Sequence, residues 1–225
     1  MRPDVLTRRY AAYLFDLDGT LLDTAPDIQG ALNAALAAAS LPPVDESLTR
    51  HWVGHGSRVL IEQALRFHGV PERIANEPEM VRLRDVFIDH YGKHLSDATI
   101  VYPGVRDALT SLSARGARLG VVTNKYEGLS VGALKAAGLL HFFGALVGGD
   151  TLPERKPDPA PALFALKTLG CPPGDSLFVG DSATDVETAR AAGCAVVCVR
   201  DGYNHGIPAD ELGADAVIDS FMELL

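Results

Sequence analysis

Short apolar runs alternate with helix-like segments along most of the chain, and this alternation restricts the possible folds more than any other feature. The runs are near-continuous, and most carry β-branched side chains, as in strands that are covered on both faces. The helix-like segments between them complete βαβ units. The runs occupy residues 13–17, 119–123, 145–147, 177–179, 195–199 and 216–218. The chain is therefore predicted to be an α/β protein with a parallel sheet and helices on both of its faces.

Helix boundaries between the runs are marked by glycine and proline. Predicted helices at residues 105–114, 128–137 and 184–192 are each followed by a glycine suited to a left-handed C-cap. Asp158-Pro159 is typical of a helix start, and that helix is predicted to run to about Gly170.

Between about residues 25 and 99 the strand signal is missing, and amphipathic helical patterns take its place. Helices are predicted at residues 28–39, 57–67 and 79–94, separated by segments rich in Pro and Gly. The simplest organisation is a Rossmann-like core, residues 1–23 and 100–225, with an all-helical domain, residues 24–99, inserted after the first strand.

Composition excludes several classes of protein. The formal charge is −9, from 20 Lys and Arg against 29 Asp and Glu, which disfavours a nucleic-acid partner. No apolar run approaches the roughly 18 residues of a membrane span, so no membrane partner is expected. The three cysteines match no zinc or disulfide pattern, and no apolar signal segment follows the charged N-terminus. These features favour the cytoplasm.

Carboxylates gather where the predicted strands end. Asp16 and Asp18 lie at the end of the first run, and Asp181 and Asp185 follow the fourth. Ligands of open parallel sheets bind beyond the carboxyl ends of the strands. In extended chain, Asp16 and Asp18 project to the same side, where their repulsion calls for a cation. Oxygen ligands without converging His or Cys select Mg²⁺ over zinc or copper, so a Mg²⁺ site is predicted here.

Four separated segments resemble, in order, the motifs of the haloacid dehalogenase superfamily of phosphohydrolases. Each is short and weak alone, but together they have the family's order and strand context. They are Asp16-Leu17-Asp18-Gly19-Thr20, the strand ending in Thr123, the lysine of Arg155-Lys156-Pro157-Asp158-Pro159, and Gly180-Asp181-Ser182-Ala183-Thr184-Asp185. The inserted helices resemble the helical type of the family's cap domain.

The resemblance implies two catalytic roles within the first segment. Asp16 is expected to be the nucleophile that attacks phosphorus and forms an aspartyl-phosphate. Asp18 is expected to protonate the leaving alcohol and later to take a proton from the attacking water. A nearby metal ion opposes the raised pKa that this role needs. We therefore expect the Asp18 side chain to point away from Mg²⁺ and its backbone carbonyl to coordinate the ion.

The same resemblance implies binding roles for the other segments. Lys156 is expected to serve both catalysis and phosphate binding, as a compact positive charge that reaches Asp16 and the phosphate. Asp185 is expected either to orient the metal ligands without binding the metal itself or only to stabilise the first turn of its helix. The expected metal ligands are Asp16, Asp18 and Asp181. The expected phosphate-binding residues are Thr123, Asn124, Lys156 and Gly19.

Two further segments, residues 51–60 and 201–206, resemble those of bacterial phosphoglycolate phosphatases, although His55 and His205 depart from that pattern. His55 lies in a Gly-His-Gly turn that a cap can present to the substrate. Arg58 is expected either to meet a substrate carboxylate or to be an ordinary solvated side chain. Lys125 lacks a comparable context and is expected to be a surface charge.

The resemblance implies Mg²⁺-dependent hydrolysis of a small phosphorylated acid or sugar, with 2-phosphoglycolate, which yields glycolate and phosphate, as the leading expectation. A phosphatase or mutase acting on another sugar phosphate is the first alternative. A non-enzymatic phospho-acceptor module is the second, although Asp18 and the helical insert argue against it. A pure binding protein is the third. Either a monomer or a homodimer is compatible with the sequence.

Overall fold

The computed structural model describes residues 4–225, with the exception of the Ala75 side chain. Its strands, in chain order, are β1 (Ala12–Phe15), β2 (Leu22–Asp23), β3 (Ile100–Val101), β4 (Arg118–Val122), β5 (Ala145–Val147), β6 (Ser176–Gly180), β7 (Ala195–Val199) and β8 (Ala216–Ile218). Six of these strands form one parallel sheet in the order β5-β4-β1-β6-β7-β8. The six strands predicted from the apolar runs are therefore confirmed, with small shifts at their ends.

The α-helices within residues 4–225 are, in chain order, α1 (Ala25–Ala38), α2 (Glu46–Trp52), α3 (Ser57–Phe67), α4 (Glu77–Lys93), α5 (Val105–Ala114), α6 (Glu127–Ala136), α7 (Ala160–Leu169) and α8 (Ala183–Ala192). Of these, α5 to α8 lie on the two faces of the sheet, as predicted. Apolar side chains of α5 and α6 form one core with the sheet, and those of α7 and α8 form a second core. The helices predicted at 57–67 and 105–114 have those bounds. The short α2 was not predicted, because only Thr49 within it is buried and it lacks an apolar stripe.

The four helices α1 to α4 occupy the part of the chain where no strand was predicted. Their apolar side chains form a third cluster, which also includes Leu129 and Tyr203 of the sheet-containing part. The chain enters this region through β2 and leaves it through β3, and these two strands pair antiparallel. The start of the helical region is also bonded to its end. Asp27 in the first turn of α1 accepts hydrogen bonds from the Ala98 and Thr99 backbone N–H groups before β3, at 2.9 and 2.8 Å.

No helix within residues 4–225 combines the length and the apolar character that spanning a membrane requires.

Candidate active site

The strand order brings three polar segments together at one edge of the sheet. Strand β1 lies between β4 and β6, so the chain that follows each of these three strands emerges at the same edge. Asp16 follows β1, Thr123 follows β4, and Asp181 follows β6. All three side chains are buried. The juxtaposition predicted from the sequence is therefore produced by the register of a parallel sheet.

Three carboxylates converge at this edge. Asp16, Asp181 and Asp185 each place one carboxylate oxygen within 4.8 Å of the other two, and all three residues are buried. Lys156 lies among them, with its Nζ 2.9 Å from Asp16 Oδ1 and 2.7 Å from Asp185 Oδ1. Lys156 was predicted to reach Asp16, and its ammonium group does so across the sheet edge.

Burial sets the ionisation of this cluster. Loss of hydration raises the pKa of Asp16 to about 6, with Lys156 opposing the rise and Asp185 adding to it. The pKa of Asp181 is raised well above its usual range by burial and by the charges of Asp185 and Asp16. Burial lowers the pKa of Lys156, but Asp16 and Asp185 stabilise the charged ammonium group and raise this pKa overall.

The donor set fits a hard divalent cation. The cluster offers carboxylate oxygens alone, and one lysine does not balance three buried carboxylates. Asp185 Oδ2 also accepts from the Asp181 and Ser182 backbone N–H groups, each at 3.1 Å. Asp185 therefore stabilises the first turn of α8 and the Asp181 backbone at once, which combines the two roles that the sequence left open.

The Asp181 side chain is held in a narrow cradle. Its carboxylate accepts from Thr20 Oγ1 at 2.7 Å and from the Tyr203 backbone N–H at 2.6 Å. A Cβ on Gly19 would lie 2.4 Å from Asp181 Oδ2, and one on Gly202 would lie 2.1 Å from Asp181 Cβ. Neither position can carry a side chain while Asp181 stays in place.

Gly19 was expected to bind phosphate, and the structure corrects this. Its φ is +85° and its N–H donates to the Leu22 carbonyl at 2.9 Å. Because that bond uses its one polar hydrogen, Gly19 shapes the loop instead of binding an anion. Tyr203 was not predicted as a site residue, but it also holds this loop in place. Its hydroxyl accepts from the Thr24 and Ala25 N–H groups at 2.8 and 2.9 Å.

The Asp18 carboxylate is not part of the converging group. Its Oδ1 accepts from Thr24 Oγ1 and from Lys125 Nζ, each at 2.7 Å. Asp18 Oδ2 has no hydrogen-bond partner among residues 4–225. This orientation agrees with the expectation that the side chain points away from a metal ion.

Lys125 is not a surface charge, so that expectation was wrong. It is only 8% exposed, and its Nζ donates to Asp18 and to the hydroxyl of Tyr91 on α4. Burial lowers the pKa of Lys125, but the charge of Asp18 and the hydrogen bonds to Asp18 and Tyr91 raise it overall. The available sequence signal was its position two residues after Thr123 at a strand end, whereas nothing in the sequence singled out Tyr91.

Thr123 and Asn124 lie beside the carboxylates. Thr123 Oγ1 accepts from the Lys125 N–H at 3.3 Å, which leaves its hydroxyl hydrogen available to a ligand. Asn124 Nδ2 donates to the Gly54 and Lys156 carbonyls, each at 3.1 Å, while its buried Oδ1 has no partner among the described residues. Asn124 therefore links the strand end to the loop before α3.

The two candidates from the helical region, His55 and Arg58, form no hydrogen bond or ion pair with these carboxylates among residues 4–225, although the charges of Lys156 and Asp185 act on the His55 ring. The His55 ring stacks on His205, with ring centroids 5.0 Å apart, and burial together with His205 lowers the pKa of His55. Arg58 forms ion pairs with Glu62 at 3.0 Å and Glu77 at 2.8 Å, both within the helical region. The structure thus supports the alternative reading of Arg58, as a solvent-facing side chain.

Replacement of Arg58 by Ala is therefore expected to leave the catalytic efficiency within about twofold of the wild-type value, as for an ordinary surface substitution. The measurement is kcat/KM for phosphate release from a small phosphoester. A loss of tenfold or more would restore Arg58 as a substrate ligand.

A cavity lies between the sheet edge and the helices, with a volume of about 50 Å³. Its polar wall comes from the ends of β1 and β4, and its apolar wall comes from α1, α3, α4 and α6. The lining includes Asp16, Asp18, Thr123, Asn124, Lys125, Tyr91, Gly54, Ile28, Leu60, Phe87 and Leu129. A ligand in this cavity meets charged groups on one side and aliphatic and aromatic groups on the other.

Comparison with known proteins places this site in a family. Residues 13–199 match the family model described as haloacid dehalogenase-like hydrolase. A curated phosphoglycolate phosphatase from Chromobacterium violaceum is 44% identical over 213 residues, covering 95% of this chain and 94% of the relative. The corresponding protein from Pseudomonas putida is 41% identical over 212 residues, covering 94% and 77%.

A solved structure leads to the same family. The crystal structure of a predicted phosphoglycolate phosphatase from Haemophilus somnus superposes with a TM-score of 0.89 at 37% identity, covering 96% of this chain and 97% of that one. The chain belongs to the haloacid dehalogenase-like hydrolases.

Proposed function

We propose that this protein is a Mg²⁺-dependent phosphomonoesterase that hydrolyses 2-phosphoglycolate to glycolate and phosphate. The observation that carries the proposal is the placement of Asp16 and Asp18 in the wall of one cavity, beside a buried carboxylate cluster and Lys156. The relatives named phosphoglycolate phosphatase support the choice of substrate.

The carboxylate cluster would hold the metal ion. Asp16 and Asp181 would supply side-chain oxygens and Asp18 its backbone carbonyl, while Asp185 orients Lys156 and the Asp181 backbone. Mg²⁺, when bound, would offset the carboxylate charge and draw negative charge from the phosphoryl oxygens.

Asp16 acts as the nucleophile in the first half of the reaction. Its Oδ1 is fixed by the Leu17 N–H at 2.7 Å and by Lys156 at 2.9 Å, and Oδ2 has no hydrogen-bond partner within residues 4–225. The attack forms a bond between Asp16 and phosphorus, and the bond from phosphorus to the ester oxygen breaks. Lys156 and the Thr123 hydroxyl stabilise charge on the transferring group.

Asp18 moves the protons. Its carboxyl group donates a proton to the departing glycolate oxygen in the first half of the reaction. In the second half Asp18 takes a proton from the water that attacks the aspartyl-phosphate, which releases phosphate and restores Asp16. Thr24 and Lys125 fix Asp18 through Oδ1, which leaves Oδ2 for these transfers.

The four helices would serve as a cap domain, with the division into residues 1–23, 24–99 and 100–225 expected from the sequence. The antiparallel pair β2 and β3 joins the two parts. Tyr91 from the cap and Lys125 from the core meet directly across the cavity. Closure of the cap over the cavity keeps bulk water from Asp18 until the leaving group departs.

The size of the cavity favours a small substrate over a sugar phosphate. The cavity has a volume of only about 50 Å³, so a substrate with few atoms beyond its phosphoryl group fits it better than a bulky one. A two-carbon acid suits this space better than a hexose.

Phosphate release from a panel of small phosphorylated acids and sugars, with Mg²⁺ and with EDTA, tests the proposal. We expect 2-phosphoglycolate to have the highest kcat/KM and EDTA to lower the rate by at least about a hundredfold, since several kcal/mol of charge stabilisation are lost with the metal ion. Hydrolysis unaffected by EDTA would refute the metal dependence. A sugar phosphate that is isomerised without net phosphate release would support a mutase instead.

The proposed partner is thus a small phosphorylated acid, and the proposed location is the cytoplasm. Cys171, Cys194 and Cys198 are free thiols, as is usual in proteins of a reducing compartment.

A further inference from the structure

In the proposed reaction Lys125 only fixes the Asp18 carboxylate, although its ammonium group is buried in the wall of the cavity. Its side chain is 5% exposed, it lines the cavity, and its Nζ lies 4.4 Å from the centre of the Tyr91 ring. A buried ammonium group is costly to desolvate, so a lysine at this position calls for a reason beyond folding.

The ammonium group has unused binding capacity. Lys carries three N–H donors, and two of them have acceptors in Asp18 Oδ1 and the Tyr91 hydroxyl. The third has no acceptor among residues 4–225. The Tyr91 hydroxyl accepts from Lys125 and therefore keeps its own hydrogen for a further acceptor. Two donors, one of them charged, are thus available at the same part of the cavity.

Among the described residues that line the cavity, Lys125 is also the only one with a positive charge. Lys156 is held by Asp16 and Asp185 on the nucleophile side, and Arg58 is held by Glu62 and Glu77. The Arg155 guanidinium lies near Gly56 but does not line the cavity. An anionic group that extends into the cavity beyond Asp18 therefore has Lys125 as the cationic partner in the cavity wall.

The covalent structure of the proposed substrate also places its carboxylate near Lys125. A phosphoester whose leaving oxygen faces Asp18 Oδ2 projects the rest of its alcohol past Asp18, where Lys125 Nζ lies 2.7 Å from Oδ1. In 2-phosphoglycolate a single methylene separates that oxygen from the carboxyl carbon. The carboxylate is thus within reach of the ammonium group.

We propose that Lys125, assisted by the Tyr91 hydroxyl, binds the carboxylate of the leaving group and so selects phosphorylated small acids over phosphoesters with a neutral alcohol. This inference rests on the proposed hydrolase activity and assigns its specificity. It also couples recognition to cap closure, because the two donors come from opposite sides of the cavity.

The test compares 2-phosphoglycolate with ethyl phosphate, which is similar in size but lacks the carboxylate. The quantity measured is the ratio of the two kcat/KM values. We expect Lys125→Met to lower this ratio by about 10- to 150-fold, the loss of a hydrogen bond to a charged group, and Tyr91→Phe to lower it by about 2- to 10-fold. The exposed Lys167 provides the matched control, and Lys167→Met should leave the ratio unchanged.

The ratio separates recognition from a general loss of activity. If Lys125→Met slows both esters equally, Lys125 only positions Asp18 and the inference is overturned. A wild-type ratio near one overturns it as well, although hydrolysis of both esters would leave the phosphatase proposal standing.

Binding of glycolate gives a readout that does not depend on turnover. Titration of the Mg²⁺-loaded protein with glycolate, followed by NMR, is expected to show binding that Lys125→Met weakens at least about tenfold. If neither ester is hydrolysed, the proposed function fails, and this titration alone decides the inference. Equal affinity of wild type and variant, or no binding by wild type, overturns it.

Discussion

Replacement of Asp16 by Asn is expected to lower kcat/KM for 2-phosphoglycolate by at least about a thousandfold, because an amide cannot form the phosphorylated intermediate. The protein should remain folded. The amide has the shape of the carboxylate, and Lys156 keeps its ion pair with Asp185 at 2.7 Å. Removing one of three buried carboxylates also relieves repulsion in the metal-free protein. Steady-state phosphate release and thermal unfolding followed by circular dichroism measure the two effects.

Asp150 provides the matched control for this variant. It follows β5 at the same edge of the sheet but is exposed, and its carboxylate accepts from the Glu127 N–H at 2.7 Å at the start of α6. Asp150→Asn should change kcat/KM by no more than about threefold, since a weakened helix cap costs about 1 kcal/mol of stability and leaves the cavity intact. Asp16→Asn protein that folds and retains more than a few per cent of the activity would refute the role of Asp16.

Replacement of Lys156 by Met is expected to destabilise the metal-free protein by about 3–5 kcal/mol, the cost of removing one partner from a buried ion pair. Asp16 and Asp185 would lose the cation that offsets their charges. For a chain of this length the unfolding midpoint should fall by roughly 6–20 °C. Activity should fall as well, because the proposed mechanism has Lys156 stabilise the transferring phosphoryl group. Thermal unfolding in EDTA measures the stability.

A double variant separates the ionic cause from a packing defect. If buried charge is responsible, Lys156→Met combined with Asp16→Asn should be more stable than Lys156→Met alone, because one of the stranded carboxylates is gone. Lys167→Met, at an exposed position on α7, should change stability by less than about 0.5 kcal/mol. Equal destabilisation of the single and double variants would contradict the ionic explanation.

The parallel sheet was predictable because its strands are buried on both faces. Phe15, Val121, Val179 and Val197 are all fully buried, so the requirement for apolar side chains is continuous along each strand and visible in the sequence. The short pair β2 and β3 was not predictable. Each has two residues, and these strands arise because the entry and exit of the helical region are held side by side.

The carboxylates were predictable for a different reason. Asp16 and Asp181 follow strands whose ends are aligned by the parallel register, so strand prediction also locates the residues that follow. The need for glycine at positions 19 and 202 could not be predicted from the strand pattern. At both positions a Cβ would collide with Asp181, and Asp181 is distant from each of them in the sequence.

By itself, the sequence determined the α/β core, the helical insertion, and an acidic sheet edge suited to a cation despite a net charge of −9. Only the tertiary structure decided the partners of the long cationic side chains. Lys125 turned inward to Asp18 and Tyr91, whereas Arg58 turned outward to Glu62 and Glu77. Local periodicity encodes which backbone segments are buried. The direction of a flexible side chain depends on which charges and apolar surfaces lie across the cavity, and folding brings these from distant parts of the chain.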